Sequence, residues 1–199
     1  MKTVLMTTIF AVALSTSAFA EDFDNNTFDL VAEMGAYSLS VEGDENDVTD
    51  YTLGVTAPAT TVGGLATVTS GEVSYNVDAE TVGIRMEQLV SLNVVGTVDV
   101  TGAAAIQYTA SENDLENGAF FFEPTVGVNA DINDTFAVYA EVAYTWEIAD
   151  AELQNRAAVM ELGMPISVGD NVTVVPSVNR GFDGGVEETN ANLQVTFKF

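Results

Sequence analysis

Side chains of alternating polarity recur along this chain, and the clearest case is the segment 135–147. A period of two residues places successive side chains on opposite faces of an extended strand, whereas a helix needs a period of about 3.6 residues. The opposite face of this segment is small or polar, so the pattern predicts a β-strand with one apolar face. The apolar face carries Phe136, Val138, Ala140, Val142, Tyr144 and Trp146.

Comparable segments cover most of the chain and are separated by residues typical of turns. The least regular is 65–77, where Gly71 predicts a bend or bulge. Together with 135–147 they predict ten strands, with eight as the second choice. The other segments are 28–41, 50–57, 65–77, 80–90, 97–109, 118–130, 156–165, 172–180 and 189–199.

The chain is 47% hydrophobic, yet no apolar run after the first 20 residues is long enough for a membrane-spanning helix. Such a helix needs roughly 20 consecutive apolar residues. A chain of this kind can therefore span a membrane only as strands whose backbone groups pair within a closed barrel. The predicted fold is all-β, an antiparallel up-and-down transmembrane β-barrel.

Both ends of the sequence carry features of exported proteins. A basic residue, an apolar stretch and a small-residue site follow one another in 1–20, which predicts a cleaved signal peptide ahead of one barrel domain, 21–199. The last residues alternate in polarity and end on an aromatic side chain. This end resembles the C-terminal signal that the barrel assembly machinery recognises, with Leu193, Val195, Phe197 and Phe199 on one face.

With these features, the chain resembles the small outer-membrane β-barrel family of Gram-negative bacteria, typified by the membrane domain of outer-membrane protein A and by small "porin family" barrels. The resemblance covers residues 28–199 and rests on the strand pattern and the terminal segment 195–199. It implies export through the periplasm to the cell outer membrane. It also implies outer-membrane lipid, lipopolysaccharide and the barrel assembly machinery as partners.

Charge is the next constraint, because the chain has 30 acidic residues and only 5 basic ones, and its net charge is −25. Such a surface repels nucleic acid, which is therefore not a predicted partner, and concentrates cations. No cofactor or metal site is predicted, since the acidic segment 43–50 lacks the turn glycine and closing glutamate of a calcium-binding loop. The absence of cysteine excludes disulfide bonds.

The predicted connections between strands fall into two alternating sets. An even strand number would place both chain ends on one side of the membrane, with the acidic set on the outer side. The acidic connections are 43–49, 76–80, 110–117, 149–155 and 181–188, and the shorter or less charged ones are 58–64, 91–96, 131–134 and 167–171.

Charged side chains also lie on the polar faces of the predicted strands, where they would point into the barrel. Arg85 is the one basic residue at the centre of a predicted strand, so it is the expected counter-ion for one or two glutamates. Two interpretations stay open: an ion-pair network that plugs the lumen, or a hydrated, cation-selective passage. The predicted interior residues are Glu33, Arg85, Glu87, Glu123, Glu141 and Glu161.

The chain contains no histidine and no cysteine, which excludes Ser-His and Cys-His chemistry. The barrel enzymes of this membrane depend on a catalytic histidine, and the close acidic pairs of this sequence fall in predicted loops. The sequence therefore predicts a protein that is not an enzyme. The predicted function is a structural barrel or one that passively conducts small solutes or cations; the alternatives are an adhesion or receptor barrel acting through its acidic loops and a soluble secreted barrel that binds an apolar ligand.

Overall fold

The computed structural model describes residues 25–44, 48–149, 152–183 and 186–199. These residues form β-structure joined by turns, and no helix among them is long and apolar enough to cross a membrane. The predicted signal peptide lies outside the described residues. The strands are β1 Asn25–Met34, β2 Tyr37–Gly43, β3 Val48–Thr56, β4 Thr60–Val62, β5 Leu65–Asn76, β6 Thr81–Val95, β7 Val98–Ser111, β8 Asp114–Asp131, β9 Ala137–Ala149, β10 Glu152–Gly163, β11 Ile166–Val168, β12 Val172–Asp183 and β13 Val186–Lys198.

Within the described residues, eleven strands form a closed ring, and β4 and β11 lie outside it. Strands that follow one another around the ring pair antiparallel, with one exception at the closure. There β1 pairs parallel with β13, in a register that runs from Asn25 opposite Asn190 to Glu33 opposite Lys198. The fold is therefore an all-β closed barrel, as predicted at that level.

Two prolines explain why β4 and β11 are separate strands. The Ala57 amide still donates to the Thr69 carbonyl, and Pro58, which has no N–H to donate, comes next. Pairing resumes where Thr60 lies opposite Thr67. Pro165 interrupts the step from β10 to β11 in the same way. Each short strand therefore continues the strand before it, beyond a proline.

The prediction of ten strands is wrong, and so is the second choice of eight. The segment 28–41 is two strands, because the chain turns at Gly35 and Ala36 and brings Met34 opposite Tyr37. Gly35 has a φ of 65°, which glycine adopts at little cost. The apolar positions change from even numbers before the turn to odd numbers after it, and this change of phase is the signal that sequence reasoning missed.

The odd strand number also corrects the predicted position of the chain ends. Since β1 and β13 run parallel, Asn25 and Phe199 lie at opposite ends of the barrel. The two alternating sets of connections agree with the strand directions, because the strand ends flanking the acidic segments share one rim. Residues 45–47, 150–151 and 184–185 of these segments lie outside the described residues.

The two faces of the wall differ sharply in chemistry. The outer face exposes large apolar side chains, of which Met86 and Val126 are each 64% exposed and Leu162 is 63% exposed. The inner face carries the glutamates, serines, threonines and asparagines that alternate with them. Among the described residues few apolar side chains are buried, so there is no large packed apolar core. The buried ones are Ala105, Ala110, Leu193 and Val195.

Candidate functional site in the barrel interior

Arg85 on β6 lies at the centre of an ion-pair network on the inner wall. Its Nη2 atom is 2.7 Å from Glu87 Oε2 and 2.7 Å from Glu123 Oε1. The second carboxylate oxygen of Glu123 accepts a hydrogen bond from the Thr145 hydroxyl at 3.0 Å. The network thus links β6, β8 and β9, and it places Arg85 between two of the glutamates for which it was the expected counter-ion.

The strand register explains how these side chains meet. Arg85 and Glu87 are two residues apart and so share a face of β6. Glu87 lies opposite Ala105 of β7, which in turn lies opposite Glu123 of β8. Ala105 is 1% exposed, and its methyl group is too short to block contact between side chains of β6 and β8. A small residue beneath the network therefore lets Arg85 reach across β7.

A second pair of predicted residues, Glu141 and Glu161, faces each other directly across β9 and β10. The Tyr139 hydroxyl donates to Glu161, and its ring lies where a side chain on Gly163 would otherwise stand. No described basic residue lies within ion-pairing distance of either carboxylate. Two glutamates that form no ion pair among the described residues thus lie side by side on the inner wall. Their charges repel each other and attract cations.

Glu33, also predicted to lie inside, is at the rim. It ends the pairing of β1 with β13, and its carboxylate is 3.7 Å from the Lys198 ammonium in a pair whose side chains are 43% and 54% exposed. The Glu33 carbonyl also accepts a hydrogen bond from the Phe199 amide at 3.0 Å. Glu33 therefore contributes contacts across the seam, the parallel pairing of β1 with β13.

The inner wall holds further carboxylates that sequence reasoning missed. Glu72 lies opposite Arg85, and it was overlooked because 65–77 was the least regular segment. Glu42 lies between Asp29 and Asp50 on adjacent strands. The prediction of one strand over 28–41 left Glu42 beyond the end of that strand, so the missed turn at Gly35 also concealed this row.

Amide side chains flank that acidic row at both ends. Gln194 Nε2 donates to Asp29 at 3.5 Å, and Asn76 Nδ2 donates to Asp50 at 3.0 Å. Among the described residues, no group of three or more histidine, cysteine or acidic side chains is arranged to hold a metal ion. The acidic segment 43–50 includes residues outside that description.

The predicted C-terminal assembly signal lies on β13 at the barrel seam. Leu193 and Val195 are 4% and 3% exposed, and they lie opposite Phe28 and Leu30 of β1. Phe199 follows the strand and is 83% exposed. The structure thus buries Leu193 and Val195 at the seam and leaves Phe199 exposed. Recognition by an assembly machinery stays a prediction.

An apolar exposed outer wall around a polar, acidic inner wall defines a β-barrel of the membrane-protein type. The chain is similar to one such solved structure, described as "Outer-membrane expressed OmpT of Vibrio cholerae", at 16% sequence identity and a TM-score of 0.42. The match covers 76% of this chain and 52% of that one, so the chain spans about half the length of OmpT. No family model matches the chain, and no curated protein matches it. The similarity to a small-barrel family thus holds only at the level of a closed barrel.

The prediction that the chain is not an enzyme is corrected. That prediction rested on the absence of histidine and cysteine, which removes only part of the possible chemistry. The prediction also assumed that close carboxylate pairs occur only in loops, whereas Glu141 and Glu161 are neighbours on the inner wall. What the sequence excludes is narrower, namely catalysis that uses a histidine or cysteine side chain.

Proposed function

We propose that this protein is an outer-membrane barrel through whose lumen small cations pass. The observation that carries the proposal is the excess of carboxylates over basic side chains on the inner wall. Arg85 is shared by Glu87 and Glu123, which leaves Glu141 and Glu161 without a described counter-ion. Fixed negative charges along a narrow passage favour cations and exclude anions.

The membrane placement is supported by the outer wall. Burying exposed side chains such as Met86, Val126 and Leu162 in lipid yields about 25 cal/mol per Å² of apolar surface, whereas leaving them in water forfeits it. A soluble barrel that carries an apolar ligand needs the reverse arrangement, with apolar side chains inside. The two walls therefore argue against that alternative.

Single-channel conductance in a planar bilayer tests conduction directly. The mature protein is expected to give reproducible steps, and the reversal potential under a salt gradient should show selectivity for cations. Glu141→Gln combined with Glu161→Gln should shift the reversal potential toward zero, because it removes the unpaired charges. Asp78→Asn, in the turn after β5, is the matched control and should leave selectivity unchanged.

Silence from a sample that is folded, as judged by heat-modifiable migration in a gel, would contradict the proposal. It would mean that the Arg85 network closes the lumen. The acidic connections would then be the next surface to test for binding, as the adhesion or receptor alternative requires.

A further inference from the structure

The apolar outer wall is interrupted on β5 and β6. Gln88 is the central outward residue of β6, with Val82, Ile84 and Met86 on one side and three more apolar residues on the other. Thr69 lies opposite it on β5. Apart from Thr67 on β5 and Arg180 near the end of β12, the mid-strand outward positions of the described chain are otherwise apolar or aromatic. A primary amide and a hydroxyl thus face the middle of the lipid.

These polar groups bond to each other and to the backbone. The Thr69 hydroxyl donates to Gln88 Oε1 at 2.7 Å, and Gln88 Nε2 donates to the Val68 carbonyl at 3.0 Å. These hydrogen bonds lower the free-energy cost of placing the two side chains in lipid. Hydrocarbon offers the remaining lone pairs of their oxygens no donor. A protein partner, in contrast, can supply one.

Small residues surround Thr69 and Gln88, although the barrel has room for larger side chains at these positions. A Cβ on Gly71 would meet Val55 Cγ1 at 3.8 Å, and one on Gly102 would meet Val90 Cγ2 at 3.7 Å, which are ordinary contacts. Neither glycine has a positive φ. Glycine weakens a strand, and one of its uses there is to allow the close approach of another backbone.

The same face holds both a depression and a protrusion. A shallow depression of about 410 Å³, open to the outside, lies at Gly71 between Val55 and Val73. Met86, which lies opposite Gly71 on the next strand, is 64% exposed. A two-fold axis between β5 and β6 would place each Met86 over the Gly71 of the other copy, as a self-complementary contact requires.

Charge does not oppose a copy of this chain at this place. With a net charge of −25, two copies repel each other wherever acidic residues approach. The described outward side chains around Gly71 and Gln88 carry no ionisable group. We infer that the outward patch formed by Thr69, Gly71, Met86, Gln88, Gly102 and Ala104 is the contact of a two-fold dimer in the membrane. The inference rests on the proposed membrane placement and not on conduction.

Cross-linking in intact outer membranes tests the contact, and the absence of cysteine makes each introduced thiol unique. Ala104→Cys lies at the edge of the patch on β7, and Ala140→Cys is a matched outward alanine on β9. A short bis-maleimide is expected to link most Ala104→Cys chains into dimers and few Ala140→Cys chains. Equal linking at both sites, or linking at neither, would overturn the dimer.

A second measurement separates contact from folding. Sedimentation in mild detergent should give the mass of two chains for the native protein and of one for Gly71→Phe, which fills the depression. Ala140→Phe adds the same bulk elsewhere and should stay dimeric, and both variants should keep heat-modifiable migration. A native protein that sediments as one chain, with or without bound lipid, would contradict the inference. Insertion into liposomes, scored separately, shows whether the membrane placement itself has failed.

Discussion

At the scale of single residues, one nitrogen of Arg85 holds two carboxylates. Each side chain of the network is 24–25% exposed, so the charges are only partly hydrated. Arg85→Gln leaves Glu87 and Glu123 without a counter-ion and is expected to lower the free energy of unfolding by about 2 kcal/mol, between the values for buried and exposed pairs. Urea unfolding in detergent micelles measures the loss.

The control for this prediction is Lys198→Gln. The Lys198 and Glu33 side chains are 54% and 43% exposed. An ion pair with this much exposure to solvent contributes less than about 1 kcal/mol. If the two substitutions cost the same, the Arg85 network does not stabilise the barrel beyond an ordinary surface pair.

Tyr139 provides a second test at this scale. Tyr139→Phe removes the donor to Glu161 and keeps the ring over Gly163, so we expect a loss of about 1 kcal/mol in unfolding free energy. Tyr144→Phe, on the outward face of the same strand, is the comparison and should cost less. A loss no larger at Tyr139 than at Tyr144 would remove the argument that the hydroxyl holds Glu161 in place.

Sequence period allowed predictions for single residues only where the alternation was regular. Arg85, Glu87 and Glu123 could be assigned to one wall from period alone, but their meeting depends on Ala105, whose small size matters only once the register of β7 is known. The pairing of Glu141 with Glu161 is likewise a matter of register. Sequence period fixes the face of a residue but not its neighbour on the next strand.

At the scale of elements, the β1–β2 hairpin depends on one backbone conformation. Gly35 has a φ of 65°, and its Cβ would meet nothing within 4 Å, so only backbone strain opposes a side chain there. Gly35→Ala is expected to cost about 1 kcal/mol or more. Gly181→Ala has the same open surroundings and no positive φ, so it should be neutral or stabilising.

Thermal unfolding of both variants decides the point. If Gly35→Ala is as stable as Gly181→Ala, the turn does not need glycine. The hairpin also shows the limit of strand prediction here. Ala36 and Tyr37 continue an apolar run across the turn, so the hydrophobic pattern alone joined two strands into one, and the count and the chain-end positions followed that error.

At the scale of the whole molecule, the ring closes through a parallel seam. Leu30 lies opposite Val195 there, and neighbouring strands bring such residues within disulfide range. Leu30→Cys with Val195→Cys is expected to form an internal disulfide on mild oxidation, detected by mass spectrometry of proteolytic fragments. Met34→Cys with Val195→Cys is out of register by four residues and should not form one.

If the out-of-register pair closes instead, the seam is not the parallel one. The closed barrel itself could be predicted, because alternation and the lack of a long apolar run leave few other folds. The parallel closure could not be predicted, because it follows from the odd number of strands. That number depends on the turn at Gly35, which was not recognised in the sequence pattern.

The parallel seam also fixes what a label at either end of the chain would report. An epitope placed beside Asn25 and another placed after Phe199 would emerge from opposite rims of the same barrel. On whole cells, an antibody should therefore stain one of the two tagged strains and ignore the other. If both ends lay at one rim, the antibody would stain both strains or neither. Microscopy of the two strains therefore shows whether the number of strands is odd or even.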